Sequence, residues 1–226
     1  MLERVLETEV MDTPEEALDY DSMDHSQVNQ VFAEAFLELL DSKGAPPARP
    51  PRVLDVGTGT ARIPIHICRL RPAFEITAVD LAEHMLNLGR KNVADAGFQH
   101  LIRLEKVDAK GLPYADGAFD AVISNSIIHH IPKPVGCLRE MARVLRPGGA
   151  LFVRDLLRLP SDDQILEILA KHAGGATAHQ RQMFEDSLRA ALTVAEVQEL
   201  LEQVGLPGDM VRQSSDRHWT ICGWKA

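Results

Sequence analysis

The sequence predicts an α/β fold, a doubly wound, mostly parallel sheet of seven strands with helices on both faces. Three observations carry this. Between residues 52 and 155, five short apolar runs are interleaved with three helical stretches. Such alternation implies parallel pairing through right-handed crossovers. The first run leads into "VLDVGTGTAR", 53–62, where a carboxylate precedes two glycines spaced by two. Near the end, two short runs are joined by the polar "SSDR", 214–217. So short a connection makes an antiparallel pair, which a standard dinucleotide-binding sheet lacks.

The elements follow in order. Residues 1 to about 25 are polar and acidic and read as a flexible or lid-like lead. Over 27–40, Val28, Val31, Phe32, Ala35, Phe36, Leu39 and Leu40 keep helical spacing. "DSKGAPPARPP", 41–51, ends that helix as a linker. Residues 1–50 are thus lid, helix and linker, and 51–226 the main domain. Strands are expected at 52–56, 74–80, 101–107, 119–124 and 150–155. Helices are expected at 61–71, 81–96 and 135–146. Pro64 falls in a first turn, where its missing N–H costs little. "RPGG", 146–149, reads as a stop and turn. Residues 161–204 are helical in two or three pieces broken at "HAGGATA", with 161–192 as an insertion. Thr193 and Glu196 form a capping box for the last piece. Strands at 209–213 and 218–224 close the chain.

Composition narrows the function. The 226 residues carry 24 Lys+Arg against 33 Asp+Glu, a net charge of −9. That disfavours a broad nucleic-acid or anionic-membrane footprint. No apolar run approaches the roughly 18 residues that span a bilayer. The acidic N-terminus has no basic-then-apolar signal pattern. Cys68, Cys137 and Cys222 match no metal spacing and read as buried thiols in a reducing compartment. The expectation is a soluble, cytoplasmic protein with no nucleic-acid or membrane partner.

Open parallel sheets bind ligands at the carboxyl ends of their strands. Asp55, Gly57 and Gly59 lie at the end of the first strand. Glycines there let backbone approach a ligand, and the next helix offers free N–H groups. Asp55 would repel a phosphate at short range. It suits a positive or hydrogen-donating ligand, or else caps the turn. Asp80 ends the second strand, 21 residues after Gly59, where a carboxylate can accept both hydroxyls of a ribose or cap the next helix. Asp108 follows the third strand and can take an exocyclic amine. Three acids at three successive strand ends are hard to dismiss as caps.

These residues resemble the class I S-adenosylmethionine-dependent methyltransferases, in the small-molecule branch that includes the quinone-ring methylases. "VLDVGTGTAR" is similar to the first motif, "AVDLAEHML" to the second, and "VDAKGLPYADGAFDAVISNSIIHHI" to the third and fourth. "LREMARVLRPGGALFVRD" resembles the helix, turn and strand that follow. The resemblance covers roughly residues 28–155. It implies the sheet order 3-2-1-4-5-7-6 with strand seven antiparallel, and S-adenosyl-L-methionine as cofactor. The loop of Asp55, Gly57, Thr58 and Gly59 would carry the cofactor's amino-acid end. Asp80 would hold the ribose, with Leu81 and Met85 beside the adenine. Asp108 would take the adenine amine, with the Ala109 amide near the ring and Asn125 near the methionyl arm. Ala61 departs from the family's third glycine.

In-line methyl transfer needs alignment and dryness more than a fixed catalytic residue. His129 and His130, in "NSIIHHIPKP", are the candidate bases for a small acceptor that must lose a proton, or else pack structurally. Adjacent histidines make a poor metal pair, no third ligand is obvious, and no metal is expected. Tyr20 and His25 either fold over the cofactor or lead into a helix. Arg154 and Asp155 either line the acceptor pocket or form an exposed ion pair. His179, Gln180 and Arg181 read as a solvated face more than as pocket. Trp219 and Trp224 read as core or as a homodimer surface. A nicotinamide-dependent oxidoreductase wants Gly-x-Gly-x-x-Gly, but position 62 is Arg. A non-catalytic sensor or scaffold that binds the same cofactor stays open. A base-flipping methylase would use Asn-Pro-Pro-Tyr where this chain has "NSII".

Overall fold

Val53, Leu54 and Val56 have no exposed surface. Buried on both faces, this run makes β1 (Arg52–Val56), the middle of a parallel sheet. The computed structural model describes residues 2–7, 12–23, 25–44 and 49–226. Its lead contains α1 (Pro14–Ser22) and α2 (Ser26–Asp41). Then β1, α3 (Arg62–Leu70), β2 (Glu75–Asp80), α4 (Glu83–Asp95), β3 (Ile102–Lys106) and β4 (Phe119–Asn125) alternate. Helix α5 (Val135–Val144) leads to β5 (Leu145–Leu156). The 161–204 stretch is three helices, α6 (Asp162–His172), α7 (Ala178–Ala190) and α8 (Val194–Gln203), followed by β6 (Val211–Gln213) and β7 (His218–Trp224).

Among the described residues the sheet runs β3-β2-β1-β4-β5-β7-β6, as expected. The first five strands pair in parallel, and β7 runs antiparallel to both β5 and β6. One face packs α5 and α8 around Leu138, Met141 and Leu201. The other packs α2, α3 and α4 around Phe36, Ile67 and Val93. Phe32 meets Phe152 edge-on at 4.9 Å and anchors α2 to the sheet, which fixes where the start of α2 lies.

Four local readings change. The lead holds a helix, α1, started by a Thr13–Glu16 capping box. Residues 145–149, expected as a turn, are already β5: Leu145 pairs with Phe119 before a register shift, and the Gly148 N–H donates to the Lys225 carbonyl at 2.7 Å. Strand β6 begins late because Gly208–Met210 form a 3-10 turn behind Pro207. Trp219 is fully buried in the core, while Trp224 lies half-buried under the Lys43 ammonium at 4.2 Å. Cys68 and Cys137 are buried thiols, and Cys222 is only half-buried. No helix among the described residues is long and apolar enough to cross a membrane.

Candidate functional site

At the carboxyl ends of β1, β2 and β4 lies a cleft of about 450 Å³. Its floor is the turn after β1. Gly57 (φ +75) and Gly59 (φ +54) hold backbone that favours glycine. A Cβ on Gly57 would come within 2.0 Å of the Ile127 methyl, so no side chain fits there. The Gly57 and Thr58 amides donate to the Val79 carbonyl at 2.8 and 2.9 Å, which ties the turn to β2. Ala61 takes a left-handed φ of 61 in full burial at the start of α3. The missing third glycine thus sits where glycine would be easiest.

Asp80 locks the same corner. Its two oxygens accept from the Gly59 amide at 2.7 Å and the Ala82 amide at 2.9 Å. Burial pushes its carboxyl up, while those amides pull it down. Asp55 does not face the cleft. It lies behind the turn, 2% exposed, with one oxygen unpartnered, as is the Thr58 hydroxyl. Burial pushes Asp55 up to about 7, and the Asp80 carboxylate adds to the rise. Thr58, Leu81, Met85, Asp108, Ala109 and Asn125 all line the wall. Asp108 Oδ1 accepts from the Lys110 amide at 2.9 Å, which shapes that turn. Ser126, just past β4, holds φ 59, a left-handed conformation of the kind that clusters at functional sites.

The lead covers this cleft. Tyr20 and His25 both line it, their rings 5.1 Å apart. Asp21 pairs with Arg62 at 2.8 Å and accepts from Asn92 at 3.1 Å, which joins the lid to α3 and α4.

The two histidines separate. His129 is 3% exposed and off the cleft wall, while His130 lines it. His129 Nδ1 stands 2.5 Å from Asp155 Oδ1. Asp155 also accepts from the Ile128 and Leu156 amides at 2.6 Å each. Glu7, from the lead, comes within 3.1 Å of His130 Nδ1 and 3.5 Å of His129 Nε2. Burial lowers His129, but the Asp155 and Glu7 carboxylates outweigh it and hold the imidazole above its ordinary value. Asp155 and Glu7 are held low in turn, against their burial, by those imidazoles. Arg4 pins the strap, donating to the carbonyls of Ala190, His129 and Ile131 at 2.7, 3.0 and 3.1 Å.

A family model described as a methyltransferase domain matches residues 54–153. Over that stretch the chain is similar to methyltransferase domains. The chain is similar to a ubiquinone biosynthesis O-methyltransferase of Xanthomonas axonopodis pv. citri, 30% identical over 164 residues. That match covers 73% of this chain, and the chain spans 65% of the relative's length. In fold it is like a SAM-dependent methyltransferase from Aquifex aeolicus, with TM-score 0.66 and 17% identity, over 96% of this chain and 100% of that one. It is also like the plantazolicin methyltransferase BamL, solved in complex with a triazolic desmethylPZN analogue and SAH, with TM-score 0.68 and 20% identity, over 83% of this chain and 65% of that one.

In the cleft, the strand-end residues and the turn converge, except that Asp55 stands behind the wall. Arg154 and Asp155 form no ion pair with each other. Asp155 is fully buried on His129, and Arg154 reaches Thr220 at 3.1 Å beside the Phe32 and Phe152 rings. His179 and Arg181 stay off the cleft, and Gln180 serves the Thr177 capping box. Arg4 and Glu7 were missed. They sit in a polar lead without periodicity, and only the fold carries them to the histidines.

Proposed function

We propose that this chain is an S-adenosyl-L-methionine-dependent methyltransferase acting on a small organic acceptor. The supporting observation is the Gly57–Gly59 turn, clamped to the Asp80 carboxylate, at the floor of a cleft of about 450 Å³. The residues fit the cofactor. Asp80 holds two amides and keeps lone pairs for ribose hydroxyls. Leu81 and Met85 offer an apolar wall for a flat base, with Asp108 and the Ala109 amide at its edge. The unpartnered Asp55 oxygen and Thr58 hydroxyl suit an ammonium group reached through water. When bound, the cofactor supplies a methyl group on a positive sulfur.

The chain's own residues then orient and desolvate. Gly57 and Gly59 admit the ligand close to backbone, and Tyr20 and His25 roof the cleft against water. His130, on the wall, is placed to take a proton from an acceptor hydroxyl. His129 is not on the wall, and we assign it to positioning. The acidic balance and the lack of an apolar run support a cytoplasmic protein whose acceptor is neither nucleic acid nor membrane.

Calorimetric titration tests the reading, with S-adenosylmethionine, S-adenosylhomocysteine and NADH on wild type and Asp80→Ala. Binding of the two sulfur ligands, weakened at least ten-fold in the variant, is expected. Folded, ligand-free protein that binds neither would sink the proposal, and NADH binding instead would favour the oxidoreductase. Cofactor binding without turnover on any acceptor would favour a sensor or scaffold.

A further inference from the structure

Beside the cofactor cleft, three ligand atoms from distant parts of the chain face one another. Glu7 Oε1, a His129 ring nitrogen and a His130 ring nitrogen all lie within 4.8 Å. Glu7 Oε1 is 3.1 Å from His130 Nδ1 and 3.5 Å from His129 Nε2. Zinc holds nitrogen and oxygen ligands at about 2.0–2.1 Å, so two ligands of one tetrahedral ion stand about 3.3–3.4 Å apart. The two separations bracket that edge.

The unpaired atoms point the same way. Glu7 Oε1 and His130 Nδ1 are both buried, yet neither makes a hydrogen bond. They stand 3.1 Å apart as a contact between imidazole and carboxylate. Behind them, Asp155 Oδ1 holds His129 Nδ1 at 2.5 Å, which leaves Nε2 turned to the cluster. A carboxylate on the far nitrogen is the arrangement that orients metal-ligating histidines. Arg4 fastens the strap that delivers Glu7, through carbonyls on both sides of the histidines.

We propose that Glu7, His129 and His130 form a three-ligand site for a divalent transition-metal ion, zinc by preference, with its fourth position open to the cleft. Two imidazoles and one carboxylate suit zinc better than magnesium or calcium, which favour oxygen-only shells. The open position follows from His130, which belongs to the cleft wall. Metal binding stands without the methyltransferase reading, and the use of the metal rests on it. There an acceptor hydroxyl binds the ion and gives its proton to solvent water. The oxygen attacks the methyl carbon, the carbon–sulfur bond breaks, and the sulfonium becomes a neutral thioether. With the ion bound, it lowers the hydroxyl's pKa, and the His130 base of the metal-free site becomes a ligand.

The test is metal content of full-length protein, stripped with chelator and titrated with Zn²⁺, with Co²⁺ as spectroscopic probe. Wild type, Glu7→Gln, His130→Ala and a control, His172→Ala, are compared after thermal melts confirm that each is folded. One equivalent of zinc and a four-coordinate Co²⁺ spectrum are expected in wild type and the control. Both ligand variants should bind at least ten-fold more weakly. No stoichiometric binding, binding that survives both variants, or binding lost with His172 would overturn the site. Titration of the same samples with S-adenosylhomocysteine keeps the two readings apart: cofactor binding without zinc overturns only the metal site, and zinc without cofactor overturns only the methyltransferase.

Discussion

The floor of the cleft and its histidine corner are built in opposite ways. The floor is local. Gly57, Gly59 and Asp80 fall within 24 residues, and neighbouring strands β1 and β2 carry them. The corner is remote. Glu7, His129 and Asp155 come from the lead, the loop after β4 and the end of β5, the first and last 148 positions apart. The floor is made mostly of backbone amides that donate to the Asp80 carboxylate and the Val79 carbonyl. The corner is made of charged side chains that must all arrive together. A site of the first kind writes its spacing into the sequence, and a site of the second kind does not.

Removing the buried acid should break the corner most severely. Asp155→Ala strands the His129 imidazole and the Ile128 and Leu156 amides in full burial. Loss of one partner from such a network costs about 3–5 kcal/mol. Urea denaturation should show that loss, and a change under about 1 kcal/mol would mean the network is slack.

On the floor the equivalent blow is Gly57→Ala. A left-handed alanine costs about 1–2 kcal/mol, and crowding against Ile127 adds about 1–3 kcal/mol. The variant should melt earlier and lose cofactor binding. Unchanged affinity in titration would show that the turn yields.

Asp55 sharpens the comparison through pH. Its folded carboxyl is raised to about 7, above its ordinary value of 3.8. A raised carboxyl stabilises fully below the unfolded value and loses that contribution as pH climbs to about 7. Asp55→Asn should therefore gain about 2–4 kcal/mol over wild type at pH 8, and the gap should close towards pH 4. A gap that is constant across pH by chemical denaturation would contradict the buried, raised carboxyl.

Ala61→Gly should change least. Relief of a left-handed alanine, about 1–2 kcal/mol, is offset by a lost buried methyl and a freer unfolded chain, about 1–2 kcal/mol together. Thermal melts should agree within a few degrees.

Much of the fold was legible. Short apolar runs marked the parallel strands, buried on both faces at β1 and β4 but partly exposed at the edge strand β3, and the four-residue "SSDR" forced the closing hairpin. Boundaries slipped where tertiary pairing overrode turn chemistry, as at Leu145–Gly149, which Phe119 and Lys225 draw into β5. Helix α1 went unread because Pro14–Ser22 carries four acids and a serine among its nine residues, and only Ala17 is buried in it, so no apolar stripe shows.

By itself, then, the sequence determined the sheet, its closing hairpin and the floor of the cleft, because each depends on residues spaced by one strand, one turn or one helix. Only the tertiary structure decided which histidine faces the cleft, that Asp155 is a buried partner and not an exposed one, and that Glu7 and Arg4 belong to the site at all. The physical reason is range. Backbone geometry and periodic burial act over a few residues and leave a pattern there, whereas charge pairing across a folded cleft acts between segments that share no pattern until the core has brought them together.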